Sequence, residues 1–215
     1  LAVSDTTLLA GTCGGGIFVS TNNGTTWTAA SLGGNLSGAF ALAASEEGAV
    51  LVGRNGEIYQ PTGGTAWRRL TAGTTEARQA VIYAGGKFVS VGHHADPITR
   101  APLNPVQVST DGITWWDAGS SDITSTIFSI NVLDGRYYAT QGASNLSNLN
   151  PIFDSQSAVL ISSNGEEWVR VPIGTAITIL AIRWPPLPSP PTAVAIVDQV
   201  RVVPFISQVP APGAA

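Results

Sequence analysis

The sequence predicts an all-β chain built from about five repeated four-stranded antiparallel sheets, with the last sheet incomplete. A short turn followed by tryptophan recurs with a period of roughly 40–50 residues. Runs of β-branched and aromatic residues, separated by Gly, Asn and Asp, precede each turn. No segment has the apolar spacing of an amphipathic helix. A repeat of this length with about four short strands is typical of one blade of a β-propeller.

The recurrent turn is clearest at residues 109–115, which read Ser-Thr-Asp-Gly-Ile-Thr-Trp. Asp at a turn accepts hydrogen bonds from its own backbone, Gly supplies a positive φ, and Trp begins the returning strand. The second copy, residues 60–67, is degenerate. We expect the four tryptophans to pack between blades. The key residues of the four copies are Ser20, Gly24 and Trp27; Gly64 and Trp67; Ser109, Asp111, Gly112 and Trp115; and Ser162, Gly165 and Trp168.

Each unit is predicted to contain strands A to D, with the tryptophan turn joining C to D. The first four units cover residues 1–31, 36–71, 77–118 and 125–172, and the first retains only residues 1–3 of its A strand. The fifth begins at residue 176 and lacks both the turn and the D strand. We therefore expect one propeller domain over residues 1–207 and a Pro/Ala-rich tail over 208–215. The alternative is a fragment of a six- or seven-bladed ring.

The turns Ser-Thr-Asp-Gly-x-Thr-Trp and Ser-x-Asn-x-Gly-x-Thr-Trp resemble the Asp-box, or BNR, repeat of sialidase-type β-propellers. The same hairpin occurs in photosystem assembly propellers, sortilin-like receptors, xyloglucanases and many phage and surface proteins. The resemblance covers about residues 8–172 and implies a propeller fold. It also implies that the box is a structural hairpin on the face away from the ligand site. Only the third copy keeps Asp, two copies have Asn, and one has neither.

Composition restricts the class of protein. With 44% hydrophobic and 11% charged residues, the surface must be made polar by Ser, Thr, Asn, Gln and Gly, which is typical of extracellular or virion proteins. The net charge is −4 and Lys87 is the single lysine, so no nucleic-acid partner is predicted. No apolar run is long enough to predict a membrane span. The single cysteine, Cys13, fits a tight turn. Because the sequence contains no Met and begins with Leu1, we expect a processed product or a segment of a longer protein.

Two long connections between strands B and C, residues 93–105 and 142–156, lie in adjacent units on the same face of the ring. Long loops on a rigid scaffold often carry binding sites; the alternatives are tolerated insertions or a contact between copies of the chain. The adjacent histidines, His93 and His94, suggest a zinc site. However, neighbouring side chains on an extended chain point in opposite directions, and the sequence contains no third histidine. We predict no metal or other cofactor. The candidate binding residues are His93, His94, Asp96, Arg100, Asn145, Asn148 and Asp154.

The preferred function is a non-enzymatic, extracellular or virion-associated module of the phage tail or fibre type. It would serve structural assembly or receptor and carbohydrate binding, with virion proteins, surface proteins, a glycan or a second copy as partner. The alternatives are an assembly-factor propeller and a sialidase-like glycoside hydrolase, which the resemblance implies would need three arginines and a Tyr/Glu pair. Arg54 and Arg78 can approach the pore, but we assign no catalytic residue. Aromatic side chains that could stack on a sugar are Trp116, Tyr59 and Tyr137 or Tyr138.

Overall fold

A computed structural model confirms the all-β prediction. It describes residues 2–4, 7–12, 14–46, 48–70, 77–93, 104–119, 123, 125–145, 150–152, 157–172, 179–183, 194–197 and 201–203. These residues form strands β1 to β21 in five sheets, and no helix occurs among them. In this described part there is accordingly no helix long and apolar enough to cross a membrane.

The first four sheets follow the predicted A-to-D order, with consecutive strands paired antiparallel. The first sheet contains β1 (Ala2–Ser4), β2 (Thr7–Gly11), β3 (Ile17–Ser20) and β4 (Thr28–Ala29). The second contains β6 (Ala39–Ser45), β7 (Gly48–Gly53), β8 (Ile58–Gly63) and β9 (Ala66–Arg69). The third contains β10 (Arg78–Ala84), β11 (Lys87–Gly92), β12 (Val106–Ser109) and β13 (Trp116–Ala118). The fourth contains β14 (Thr126–Leu133), β15 (Arg136–Asn145), β17 (Ala158–Ser162) and β18 (Val169–Pro172).

Two additional strands were not predicted. Strand β5 (Ser31–Gly33), in the link between the first two sheets, pairs in parallel with β9 at the outer edge of the second sheet. Strand β16 (Asn150–Ile152) pairs back onto the end of β15, so the connection predicted over 142–156 is partly a β-hairpin. The fifth sheet contains β19 (Ile179–Arg183), β20 (Val194–Val197) and β21 (Arg201–Val203), and its order is that of an incomplete blade.

The core lies between successive sheets, because each strand sends alternate side chains to its two faces. Leu9 and Val19 of the first sheet pack with Leu51 and Trp67 of the second. The same arrangement joins the second sheet to the third and the third to the fourth. Strand β19 of the fifth sheet adjoins β14 and β15 of the fourth. The sheets are therefore stacked in chain order, with A–B and C–D turns at one edge and B–C connections at the other.

Candidate functional site

Three of the four tryptophan turns have the same internal hydrogen bonds. In the third sheet, Ser109 Oγ donates to Asp111 Oδ1 at 3.0 Å, and that oxygen accepts the N–H groups of Ile113 and Thr114. Trp115 Nε1 donates to the carbonyl of Gly112 at 3.0 Å, and the glycine has a φ of 68°. These bonds hold the turn closed and fix the tryptophan ring over it. The equivalent residues are Ser20, Asn22, Gly24 and Trp27 in the first sheet, and Ser162, Asn164, Gly165 and Trp168 in the fourth.

The second copy has a different geometry. Gly63 pairs with Ala66, so β8 and β9 form an ordinary hairpin whose tip is Gly64 and the residue after it. Trp67 is buried in the cluster between the first two sheets, and its Nε1 has no hydrogen-bond partner among the described residues. In this copy Gly64 serves a hairpin turn and Trp67 a core position, without the hydrogen bonds of the other three turns.

The prediction that all four tryptophans pack between blades is wrong for Trp27. Trp67 and Trp168 are buried and Trp115 is half-buried, with its ring 6.5 Å from that of Phe88. Trp27 is 40% exposed. The turns of the third and fourth sheets rest on the preceding sheet, whereas a Cβ placed on Gly24 in the turn of the first sheet would have, among the described residues, only Leu8 and Trp27 of its own sheet within 4 Å.

The edge formed by the B–C connections is the candidate binding site. At this edge, strands B and C are joined by residues 12–16 in the first sheet and by residues 54–57 in the second. The corresponding connections of the third and fourth sheets are longer and consist of residues 93–105 and 146–157. Gly92 N–H donates to the carbonyl of Pro105 at 2.9 Å and closes the base of the third-sheet connection. Of the candidate residues, His93 is described in full, and for Asn145 the structure gives the backbone, paired with Asn150. The other candidates, His94, Asp96, Arg100, Asn148 and Asp154, lie outside the described residues.

His93 was expected on a loop surface, but it is 1% exposed. Its Nε2 lies 3.0 Å from Gln79 Nε2. An amide nitrogen can only donate, so the neutral ring accepts at Nε2 and carries its proton on Nδ1. Nδ1 is buried and has no partner among the described residues. Burial, together with the nearby positive charge of Arg78, lowers the pKa of His93 below its ordinary value. The ring is therefore neutral at neutral pH, and no described residue accepts a hydrogen bond from its Nδ1.

His93 should make folding stability depend on pH below about 6.5, the ordinary pKa of the group. Below that value the unfolded chain binds a proton that the folded ring resists, so we expect stability to fall by up to about 1.4 kcal/mol per pH unit. Urea unfolding between pH 7.5 and 5.5 measures this slope. His93→Gln should flatten it, whereas His94→Gln should retain it. An unchanged slope in His93→Gln would contradict the assignment.

Glu57 is a buried carboxylate at the same edge that the sequence analysis missed. It is 2% exposed; Oε1 accepts Ser37 N–H at 3.0 Å and Oε2 accepts Asn55 N–H at 2.6 Å. Burial alone would raise the pKa of this carboxyl, but these hydrogen bonds to the ionised form outweigh it and lower the pKa below its ordinary value. The carboxylate therefore ties the link before β6 to the turn before β8. The pattern Asn-Gly-Glu marks a turn, but nothing in the sequence places Ser37 beside it.

Glu57→Gln is expected to lower the free energy of unfolding by about 1–3 kcal/mol at pH 7, because an amide cannot accept both N–H groups as well as a carboxylate does. The contribution of Glu57 should be present above pH 4.5, its ordinary pKa, and be lost as pH falls through the lower pKa of the folded state. Urea unfolding at pH 7 and in acid measures both effects. Glu46→Gln, at an exposed turn of the same sheet, is the control. Equal losses in the two variants would refute the role given to Glu57.

Further polar groups are buried at this edge beside the third and fourth sheets. Arg78, at the start of β10, is 1% exposed and donates from Nη1 to the carbonyl of Asn104 at 3.4 Å. Ser125 Oγ and Ser157 Oγ are buried and have no hydrogen-bond partner among the described residues. The described ranges contain no group of three or more His, Cys, Asp or Glu that could hold a metal ion. The described part of this edge therefore offers buried hydrogen-bonding groups.

The aromatic side chains proposed for sugar stacking are only partly accessible. Tyr59 and Tyr137 are buried, which excludes them as exposed platforms. Tyr137 Oη instead donates to the carbonyl of Ala84 at 2.7 Å and joins the third and fourth sheets. Trp116 is exposed and Tyr138 is half-buried, so these two retain accessible ring surface.

Comparison with known proteins identifies the fold. No family model and no curated protein matches the sequence. YCF48 bound to D1 peptide is 14% identical with a TM-score of 0.52, and the match covers 91% of this chain and 58% of that chain. The WD40 beta propeller domain of Doa1 is 9% identical with a TM-score of 0.55, and the match covers 91% of this chain and 60% of that chain. YCF48 from Cyanidioschyzon merolae is 15% identical with a TM-score of 0.51, and the match covers 87% of this chain and 62% of that chain. The chain spans about three fifths of the length of these structures. Its five successive sheets thus have the fold of a β-propeller, and three strands of the last blade are described.

Proposed function

We propose that this chain is a non-enzymatic propeller module that binds a macromolecular partner through the B–C edge of its third and fourth blades. The observation that carries the proposal is a set of buried hydrogen-bonding atoms without described partners: His93 Nδ1, Ser125 Oγ and Ser157 Oγ. Buried polar groups are nearly always hydrogen-bonded, so atoms at one edge that no described residue satisfies support a contact made on binding. Both long connections meet this edge.

The class of partner is supported by two further observations. One structure of similar fold is that of YCF48 bound to D1 peptide, so a propeller of this fold accommodates a peptide partner. The low charged fraction, 11%, is typical of extracellular and virion proteins. We therefore propose a role in a virion or on a cell surface, as a tail- or fibre-type component that binds another structural protein, a receptor or a glycan.

We also propose that the turns at residues 20–27, 109–115 and 162–168 are Asp-box turns. Their common hydrogen bonds support this, since each uses a Ser hydroxyl, an Asp or Asn oxygen and a Trp N–H in the same way. In this interpretation the boxes hold the blades together at one edge and leave the opposite edge for ligands.

The alternative is a sialidase-like hydrolase, and one observation favours it. Arg54 is exposed in the B–C turn of the second blade, and Arg78 lies at the same edge of the third. Against it, Tyr59 and Tyr137 are buried within the sheets and are not available as nucleophiles.

The test is binding of the labelled chain to a glycan array and to a peptide array. Binding should be lost in the Asp96→Ala, Arg100→Ala double variant and retained in Thr25→Ala, Thr110→Ala, which alters exposed residues at the opposite edge. Binding that survives the loop variant unchanged would overturn the proposal. Turnover of a fluorogenic sialoside that Arg54→Gln abolishes would establish the hydrolase instead.

A further inference from the structure

The chain contains three Asn-Gly pairs, at residues 23–24, 55–56 and 164–165. In such a pair the side-chain amide of Asn can react with the backbone nitrogen that follows it, because glycine has no side chain to obstruct the approach. Asparagine is accordingly a thermolabile residue in proteins. All three pairs lie in turns between consecutive strands, so the sequence alone does not rank them. The hydrogen bonds that hold each pair in the folded chain do.

The pair in the fourth sheet is held at both reacting groups. Asn164 Oδ1 accepts the N–H groups of Glu166 and Glu167, each at 2.9 Å. The attacking nitrogen of Gly165 donates to Ser162 Oγ at 2.8 Å. The side-chain amide therefore cannot turn toward the nitrogen until these hydrogen bonds open, and each of them slows the reaction.

The same turn is also fixed on the preceding sheet. A Cβ placed on Gly165 would lie 2.9 Å from Val89 Cγ2 of the third sheet. Lys87 Nζ bonds Glu166 Oε1, and Trp168 is buried in the cluster between the third and fourth sheets. Opening this turn therefore breaks contacts with a second blade in addition to its own hydrogen bonds, which makes the open form rare.

The pair in the second sheet is held at the side chain and at the backbone. Asn55 Nδ2 donates to Ser37 Oγ at 2.7 Å, and Asn55 N–H donates to Glu57 Oε2 at 2.6 Å. Gly56, which supplies the attacking nitrogen, is buried. Rotation of the amide toward Gly56 thus separates two segments that the native fold joins.

The pair in the first sheet contains the additional residue of its turn. Residues 20–27 form a tryptophan turn that is one residue longer than the other two turns of this kind. Asn22 supplies the oxygen that closes the turn, since its Oδ1 accepts Thr26 N–H at 2.9 Å. Asn23 is the inserted residue; it is exposed and has a φ of 55°. Its amide lies in solvent, outside the hydrogen bonds that close the turn.

This first turn also opens at less cost than the fourth. The attacking nitrogen of Gly24 donates a single hydrogen bond, to Ser20 Oγ at 2.9 Å. A Cβ placed on Gly24 would have, among the described residues, only Leu8 and Trp27 of its own sheet within 4 Å. Trp27 itself is 40% exposed. Local opening of this turn therefore leaves the contacts between blades intact.

We propose that Asn23 is a site of spontaneous deamidation in the folded protein and that the fold protects Asn55 and Asn164. Gly24 N–H loses its proton to hydroxide, the nitrogen attacks Asn23 Cγ, and Nδ2 leaves as ammonia, which gives a cyclic imide. Water then opens the imide. Cleavage of its bond to Cγ yields Asp, and cleavage of its bond to the main-chain carbonyl carbon yields isoaspartate. Water is consumed, ammonia is released and nothing is oxidised.

The modification changes the charge and the path of the first turn. Either product places a carboxylate in an exposed turn, and isoaspartate also lengthens the main chain between Ser20 and Gly24. The hydrogen bonds from Gly24 N–H to Ser20 Oγ and from Trp27 Nε1 to the carbonyl of Gly24 are then displaced. The turn lies at the edge of the A–B and C–D turns, so the proposal does not depend on binding at the B–C edge.

The test is incubation of the full 215-residue chain in mildly alkaline buffer, followed by digestion with trypsin and mass spectrometry. Trypsin places the three pairs in separate peptides, which end at Arg54, Arg68 and Arg170. In the folded chain, Asn23 should react at least about tenfold faster than Asn55 or Asn164, because fewer interactions must open. In urea the three rates should converge, since all three pairs then have the same chemistry.

Two substitutions in the first peptide identify the residue. Asn23→Gln should abolish the acidic product of this peptide. Asn35→Gln is the matched control, at an exposed asparagine of the same peptide, and should retain the product. Absence of reaction at Asn23 in the folded chain, or reaction at Asn55 or Asn164 at an equal rate, would overturn the proposal.

Ser162→Ala tests the protection of the fourth turn. It removes the hydroxyl that accepts Gly165 N–H, so the rate at Asn164 should rise relative to the rate at Asn55 in the same molecule. Use of this ratio corrects for any general loss of stability in the variant. An unchanged ratio would contradict protection by these hydrogen bonds. None of these results would affect binding measured at the B–C edge on the arrays.

Discussion

Trp168→Ala is expected to lower the free energy of unfolding by about 3–5 kcal/mol. The ring is 3% exposed and packs edge-on against Tyr137 at a centroid distance of 6.4 Å, within the cluster between the third and fourth sheets. The substitution opens a cavity between two blades and removes the hydrogen bond from Trp168 Nε1 to Gly165. Urea unfolding of the purified variant measures the loss.

Trp27→Ala is the matched control, because Trp27 makes the same hydrogen bond to its own turn but is 40% exposed. We expect a loss of about 1 kcal/mol or less, typical of a partly exposed position. The difference between the two variants isolates the contact with the preceding blade. Equal losses would show that the tryptophan stabilises its turn alone and would refute the interblade role.

Gly112→Val is expected to lower the free energy of unfolding by about 3 kcal/mol or more, from two separate causes. A positive φ of 68° costs an L residue about 1–2 kcal/mol, and a branched residue still more. The new side chain would also meet Val50 and Gln60 at less than van der Waals distance, and overpacking of this kind costs about 1–3 kcal/mol.

Gly24→Val separates these two causes. Gly24 has a similar φ of 83°, but a Cβ there would lie 3.4 Å from Leu8 Cδ1 of its own sheet, and no described residue of another sheet would lie within 4 Å. This variant should therefore show only the backbone cost. Urea unfolding of both proteins gives the difference, and a Gly24→Val loss as large as that of Gly112→Val would mean that seating on the preceding sheet contributes nothing.

Much of the fold could be predicted because its signals are local. The runs of β-branched and aromatic residues in segments such as 87–92 and the turn chemistry of residues 109–115 depend only on neighbouring residues. Strand β5 could not be predicted, since its parallel pairing with β9 is decided by the position of the first sheet beside the second. The same holds for Trp27, whose exposure depends on what covers the first sheet.

The candidate site was predicted less completely. The sequence placed His93 at the correct edge, but its burial and its contact with Gln79 depend on how β10 and β11 begin and end. Glu57 was missed because its partners, Ser37 and Asn55, are brought together only in the folded second sheet. The ion pair of Glu166 could not be predicted either, because the lysine that it pairs with belongs to another blade.

The tryptophan turns of the third and fourth blades each pack on the preceding blade, and this order has a consequence for folding during synthesis. The turns of the third and fourth blades dock on surfaces contributed by residues that left the ribosome earlier, so neither turn needs a later blade to complete its docking. Assembly can therefore proceed from the amino-terminal end without waiting for distant segments. The growing end exposes one uncovered sheet at a time, which limits the apolar surface available for aggregation at each stage of translation.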